Sequence, residues 1–118
     1  MTKEELLNRL KDIEWDDFEV KEATGGIPKS MWETVSAFSN TAGGWIILGV
    51  KEKKCENGNS YRVSGVDNIE KMEQDIITTL RSRSKFNAVI SSRAYRYTIE
   101  DKNVLAFEIP VSPHKPVA

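Results

Sequence analysis

The 118-residue sequence predicts an α+β fold, a mixed or antiparallel sheet with about three helices. Three observations predict it. Apolar residues recur at helical spacing in three separate stretches. Short alternating or continuous apolar runs lie between them. Turn signals join some strand-like runs directly, without the helix that every crossover of a doubly wound parallel sheet requires.

Thr2 with Glu5 three residues on is a capping-box signature, and Leu6, Leu10 and Ile13 follow at helical spacing. Residues 3–13 therefore read as a first helix. Phe18 and Val20 alternate with Glu19 and Lys21, as in a short strand. Gly25-Gly26 breaks the chain, and Pro28 suits the first turn of a helix. Met31, Val35, Phe38 and Ala42 extend that second helix to about residue 41, where Gly43-Gly44 stops it.

The run WIILGV, residues 45–50, is short, apolar and bounded by glycines and charges, which fits a buried strand. Residues 51–60 are polar and carry Asn57-Gly58, a turn signal. They read as a hairpin loop leading to a strand near residues 61–66. Ile69, Met72, Ile76 and Leu80 mark a third helix capped by Asp67 or Asn68. Tyr95, Tyr97 and Ile99 alternate within a strand near residues 92–100. Leu105, Phe107 and Ile109 do so near residues 103–111, with Glu100 to Asn103 as the turn between them. The expected order is α-β-α-β-β-α-β-β in one domain, residues 1–118.

An apolar share of 39% and a charged share of 30% support a packed core and exclude a disordered chain. A single cysteine, Cys55, excludes an intrachain disulfide. The charged N-terminus lacks the apolar centre of a signal peptide, and no apolar run is long enough to span a bilayer. A cytoplasmic protein without a membrane partner is the simplest placement. The net charge of −1 lends a nucleic-acid partner no support by itself, but the charge is unevenly spread. Residues 1–22 carry 4 basic and 8 acidic groups. Between Arg81 and Tyr97 stand five cations, Arg81, Arg83, Lys85, Arg93 and Arg96, and no acid.

Three stretches carry a family resemblance. Glu14, Glu19, Lys21 and Glu22 form E-x-x-x-x-E-x-K-E. Residues 36–50 read SAFSNTAGGWIILGV. Residues 107–117 read FEIPVSPHKPV. Together they resemble the Schlafen AlbA-type domain of bacterial transcriptional regulators and of the animal Schlafens, over about residues 14–118. The resemblance implies a DNA-binding module. It also implies that the chain is the N-terminal part of a longer protein, because the family continues past P-V into a tyrosine- and arginine-bearing strand. Schlafen members cleave transfer and ribosomal RNA with three acidic residues. Glu14 and Glu19 match two of them by spacing, and Glu52 stands near the third place, where Lys51-Glu52 replaces the usual aspartate.

These residues define the candidate sites. Lys51, Lys53, Arg81, Arg83, Lys85, Arg93 and Arg96 are candidate nucleic-acid contacts, since cations neutralise phosphates, and the interleaved aromatics can stack on exposed bases. Lys51, Lys53 and Lys54 otherwise serve only to keep a loop solvated. Asn40, Gly43 and Gly44 make either a helix stop or a turn whose amides face a phosphate. Glu14, Glu19 and Glu52 are the candidate catalytic and metal-binding set for a nuclease, holding Mg²⁺ or Mn²⁺ that activates water. Glu19 and Lys21 fall on one strand face, so they are equally a simple ion pair.

Trp15, Trp32 and Trp45 read as core residues, and His114 and Cys55 cannot build a zinc site or a Cys–His pair in one chain. Ser36 and Ser39 have no local base, and neither nucleotide-binding glycine motif occurs. The leading expectation is a DNA-binding module of a transcriptional regulator without a cofactor, DNA ahead of RNA as partner. A metal-dependent endoribonuclease comes second and a protein-interaction domain third, with a homodimer compatible with the first and third.

Overall fold

A computed structural model describes residues 1–11, 17–55, 58–81 and 92–111, with side chains left aside at 54, 55 and 58–60. The elements in chain order are α1 (Lys3–Leu10), β1 (Phe18–Lys21), α2 (Met31–Asn40), β2 (Gly44–Leu48), β3 (Val50–Cys55), β4 (Gly58–Val63), α3 (Ile69–Leu80), β5 (Arg93–Ile99) and β6 (Lys102–Ile109).

Four strands form one sheet in the order β1-β2-β6-β5. β1 runs parallel to β2, and the other pairings are antiparallel. The sheet is mixed and three helices accompany it, the α+β class the periodicities predict. Alternation sorts its side chains onto two faces. Ile46, Leu48, Leu105, Phe107 and Ile109 pack with Met31, Val35 and Phe38 of α2 and Met72, Ile76 and Leu80 of α3. Phe18, Ile47, Val104 and Ala106 pack on the other face with Leu6 and Leu10 of α1. The sheet is thus covered on both sides, which is why β2 and β6 read as nearly continuous apolar runs.

The N-terminal caps of α1 and α3 follow the sequence signals. Thr2 Oγ1 accepts from the Glu5 amide at 3.2 Å, opening α1. Asn68 Oδ1 accepts from the Lys71 amide at 3.3 Å, opening α3. At α2 the helix begins at Met31 rather than at Pro28, because residues 28–30 form a preceding turn in which the Pro28 carbonyl accepts from the Met31 amide at 3.1 Å. The expected end of the first helix at residue 13 lies outside the described residues.

One expectation is corrected. Residues 51–55 and 58–60 are strands and not a loop: β3 and β4 form a two-stranded antiparallel hairpin with Val50 opposite Val63, Lys51 opposite Arg62 and Cys55 opposite Gly58. The run WIILGV is accordingly two strands divided at Gly49, whose φ of +99° suits glycine. A Cβ there would also stand 3.1 Å from the Gly65 carbonyl carbon. β3 escaped the pattern because Lys51, Glu52 and Lys53 are all exposed, so no apolar alternation marks it. β4 ends at Val63, and Val66 then bridges alone to Ala23.

A second hairpin closes the sheet. Ile99 pairs with Lys102, leaving Glu100 and Asp101 as a two-residue turn with φ of +53° and +62°. Positive φ at both positions is the turn type whose twist matches antiparallel strands. The turn is therefore shorter than the four residues the sequence suggests.

Candidate nucleic-acid interface

Alternation along β3 and β4 gives the hairpin two unlike faces. Val50 and Val63 are buried, and with half-buried Tyr61 they anchor the hairpin to the α1 side of the core. Lys51, Lys53 and Arg62 share the opposite face. Lys51 and Arg62 are direct cross-strand partners, and all three cations are exposed. None makes an ion pair or side-chain hydrogen bond among the described residues. Like charges directly opposed across a ladder destabilise it, so this face gains by meeting an anion. Arg62 was not among the sequence candidates. Its signal is the register: once Cys55 pairs with Gly58, Lys51 falls opposite Arg62.

Of the cations expected between Arg81 and Tyr97, the described ones do not share one surface. Arg83 and Lys85 lie outside the described residues. Arg81 caps α3, its amide donating to the Ile77 carbonyl at 3.1 Å. Arg93 and Arg96 are three apart on β5 and so point to opposite faces. Arg93 is exposed on the face of Tyr95 and Tyr97. Arg96 lies toward α3, where Nε and Nη2 donate to the two Glu73 carboxylate oxygens at 3.1 and 3.0 Å. Its Nη1 is also 3.9 Å from Glu70 Oε1. The Glu73 hydrogen bond holds the Arg96 guanidinium above its ordinary pKa, against some desolvation, with the charges of Glu73 and Glu70 adding to it.

The turn at Asn40, Gly43 and Gly44 is built by packing. The Gly43 amide donates to the Phe38 carbonyl at 2.8 Å, closing the end of α2, so it is already engaged. Gly43 has φ of +79°, and a Cβ there would stand 2.7 Å from the Ile109 carbonyl oxygen. A Cβ on Gly44 would stand 2.8 Å from the Phe38 ring and 2.9 Å from the Asp17 carbonyl oxygen. Asn40 is half-buried. These contacts account for both glycines without a ligand.

The acidic candidates are similarly placed by local structure. Glu14 lies outside the described residues. Glu19 Oε1 is 3.6 Å from Lys21 Nζ, the ion pair that their spacing allows. Lys21 is buried and donates to Ser30 Oγ at 2.8 Å, tying β1 to the start of α2. Glu52 is exposed on the hairpin, opposite Tyr61. Among the described residues no three His, Cys, Asp or Glu side chains come together as a metal site. Among them, too, no helix is long and apolar enough to cross a membrane.

Trp15 lies outside the described residues, and the other two tryptophans hold the expected structural positions in part. Trp32 packs against the α2–α3 side of the core. Trp45 is only half-buried, and its ring meets that of Tyr95 at a centroid distance of 5.5 Å and an angle of 45°. Tyr97 donates its hydroxyl hydrogen to the Met1 carbonyl oxygen, fastening the chain start to β5.

The sheet is thus covered on both faces, and a cationic hairpin follows the end of β2. The chain belongs to the family described as Schlafen, AlbA_2, whose model matches residues 14–118. It is also similar to the N-terminal domain of a RecG-related protein from Nitrosomonas europaea, a domain whose solution structure carries a name pointing to an ATP-dependent DNA helicase. That match has a TM-score of 0.80 and 27% identity over 97% of this chain and 77% of the other. A weaker match, to the DIP2311 protein from Corynebacterium diphtheriae, has a TM-score of 0.46 and 20% identity over 86% of this chain and 21% of the other.

Proposed function

We propose that this domain binds nucleic acid, DNA before RNA, as a module of a transcriptional regulator. The observation that carries this reading is the outward face of the β3–β4 hairpin. Lys51, Lys53 and Arg62 present three exposed cations, two of them directly opposed, with no acid paired to them among the described residues. A two-stranded ribbon about 20 Å long, at roughly 3.3 Å per residue, is narrow enough for the major groove of a duplex. Charge on the ribbon supplies affinity through counterion release, whatever the net charge of the whole chain. Family membership and the RecG-related neighbour point toward a nucleic-acid partner in the same way. A homodimer is compatible, since the outer edge of β5 has no strand beyond it among the described residues.

The test is fluorescence anisotropy with labelled duplex DNA and labelled transfer RNA at two salt concentrations. Binding that weakens steeply with salt, and is lost when Lys51, Lys53 and Arg62 become Gln, is the expected result. Unchanged affinity in that triple variant removes the hairpin from the interface. Absence of binding to either ligand at low salt rejects the function and leaves a protein-interaction domain as the reading.

A further inference from the structure

We propose that the α1-side face of the sheet holds one unpaired guanine base, at the place where Trp45, Tyr95, Glu108 and Arg93 meet. This rests on the nucleic-acid reading and adds a base-recognising site distinct from the cationic hairpin.

The register defines the place. Glu108 of β6 is the direct partner of Trp45 on one side and of Arg93 on the other. With strands about 4.8 Å apart, the row from Trp45 to Arg93 spans about 10 Å, close to the width of one nucleotide. Tyr95 stands two residues beyond Arg93 on the same face, and its ring meets Trp45 at 5.5 Å. Both rings are half-buried, so each is braced by the core while keeping a surface open. Aromatic rings held this way form a stacking platform for a base.

Glu108 supplies the selectivity. Its side chain is half-buried, yet it has no hydrogen bond or ion pair among the described residues. An ionised carboxylate only accepts hydrogen bonds. The row therefore sets a carboxylate acceptor, with no donor to it among the described residues, beside two half-buried rings. Guanine fits this row, because its flat ring can stack and its Watson–Crick edge presents N1–H and N2–H side by side to a carboxylate. Thymine offers one N–H flanked by two carbonyl oxygens, which repel it. That edge is free only in an unpaired base. Arg93, exposed and without an ion pair among the described residues, is placed to neutralise the adjoining phosphate.

The test uses the whole chain and two short single-stranded probes, an all-thymine oligonucleotide and the same oligonucleotide with one central guanine. The wild-type protein is expected to favour the guanine probe by about tenfold, within the range of a good bidentate contact to a base. Glu108→Gln should abolish the preference while keeping affinity for the all-thymine probe, with an unchanged melting curve confirming the fold. Tyr95→Phe, which retains the ring, should keep the preference. Equal affinity for the two probes in the wild-type protein, or a preference that survives Glu108→Gln, overturns the guanine site. In either of those cases salt-sensitive binding that depends on the hairpin cations leaves the broader reading standing. No binding to any probe, duplex included, rejects that broader reading and the guanine site with it.

Discussion

Arg96 donates from both Nε and Nη2 to the carboxylate of Glu73, at 3.1 and 3.0 Å, and so joins the edge strand β5 to α3. One of the residues read as a phosphate contact in the basic stretch is thereby held by an acid 23 positions earlier in the chain. Arg96→Ala is expected to leave nucleic-acid affinity unchanged and to lower the melting temperature modestly, less so at high salt, where the pair is screened. Anisotropy and thermal melting on the same variant check both halves. A large loss of affinity without a change in melting would return Arg96 to the interface.

The opposed cations make the reverse prediction. Lys51→Gln or Arg62→Gln should weaken nucleic-acid binding and leave the fold intact, or stabilise it slightly by removing repulsion across the ladder. Removing one cation that neutralises a phosphate should reduce the slope of log affinity against log salt by about 0.9 for duplex DNA. Replacing Lys51, Lys53 and Arg62 together should therefore reduce that slope by roughly 2 to 3. A slope unaffected by all three would place the phosphates elsewhere.

The two glycines after α2 should behave as packing residues. Gly44→Ala drives a Cβ into the Phe38 ring and the Asp17 carbonyl oxygen, and Gly43→Ala adds a positive φ to a clash with the Ile109 carbonyl oxygen. Each should cost about 1–3 kcal/mol in chemical denaturation, the usual range for overpacking a close approach. Weaker binding at unchanged stability would instead favour the phosphate-facing reading of this turn.

Tyr97 gives an alkaline limb to the stability profile. Burial raises its pKa above the ordinary 10.0, with Tyr95 and Glu5 adding to the rise. The folded state therefore keeps the phenol proton more tightly than the unfolded chain does. Its contribution is complete below the unfolded pKa and fades as pH climbs through the higher folded value. Ionisation also removes the hydrogen donated to the Met1 carbonyl oxygen. Stability should fall as pH rises past about 10, and Tyr97→Phe should flatten that fall. Denaturation curves across the alkaline range measure it.

Much of the frame was legible along the chain. Thr2, Asn68 and the glycines at 43 and 44 are local signals. The periodicities of α3, β2 and β6 report burial directly, because in these elements the inward positions are apolar. Family membership rested on motifs that are themselves local, above all residues 36–50. β3 was not legible, because a hairpin anchored by Val50, Tyr61 and Val63 buries too few apolar side chains on β3 to leave a period-2 trace. Arg62 was missed with it, since a residue gains its partner only once the register is set.

The sequence by itself therefore determined the class of fold, the caps and the composition of the core, all consequences of interactions within a few residues or of alternation along one element. Tertiary structure decided which charges are available. Lys51 and Arg62 are brought together across a ladder, Arg93 and Arg96 are sent to opposite faces, and Arg96 is paired with Glu73. Electrostatic partnership depends on distance in space, and the spacing of charges along a chain does not contain it.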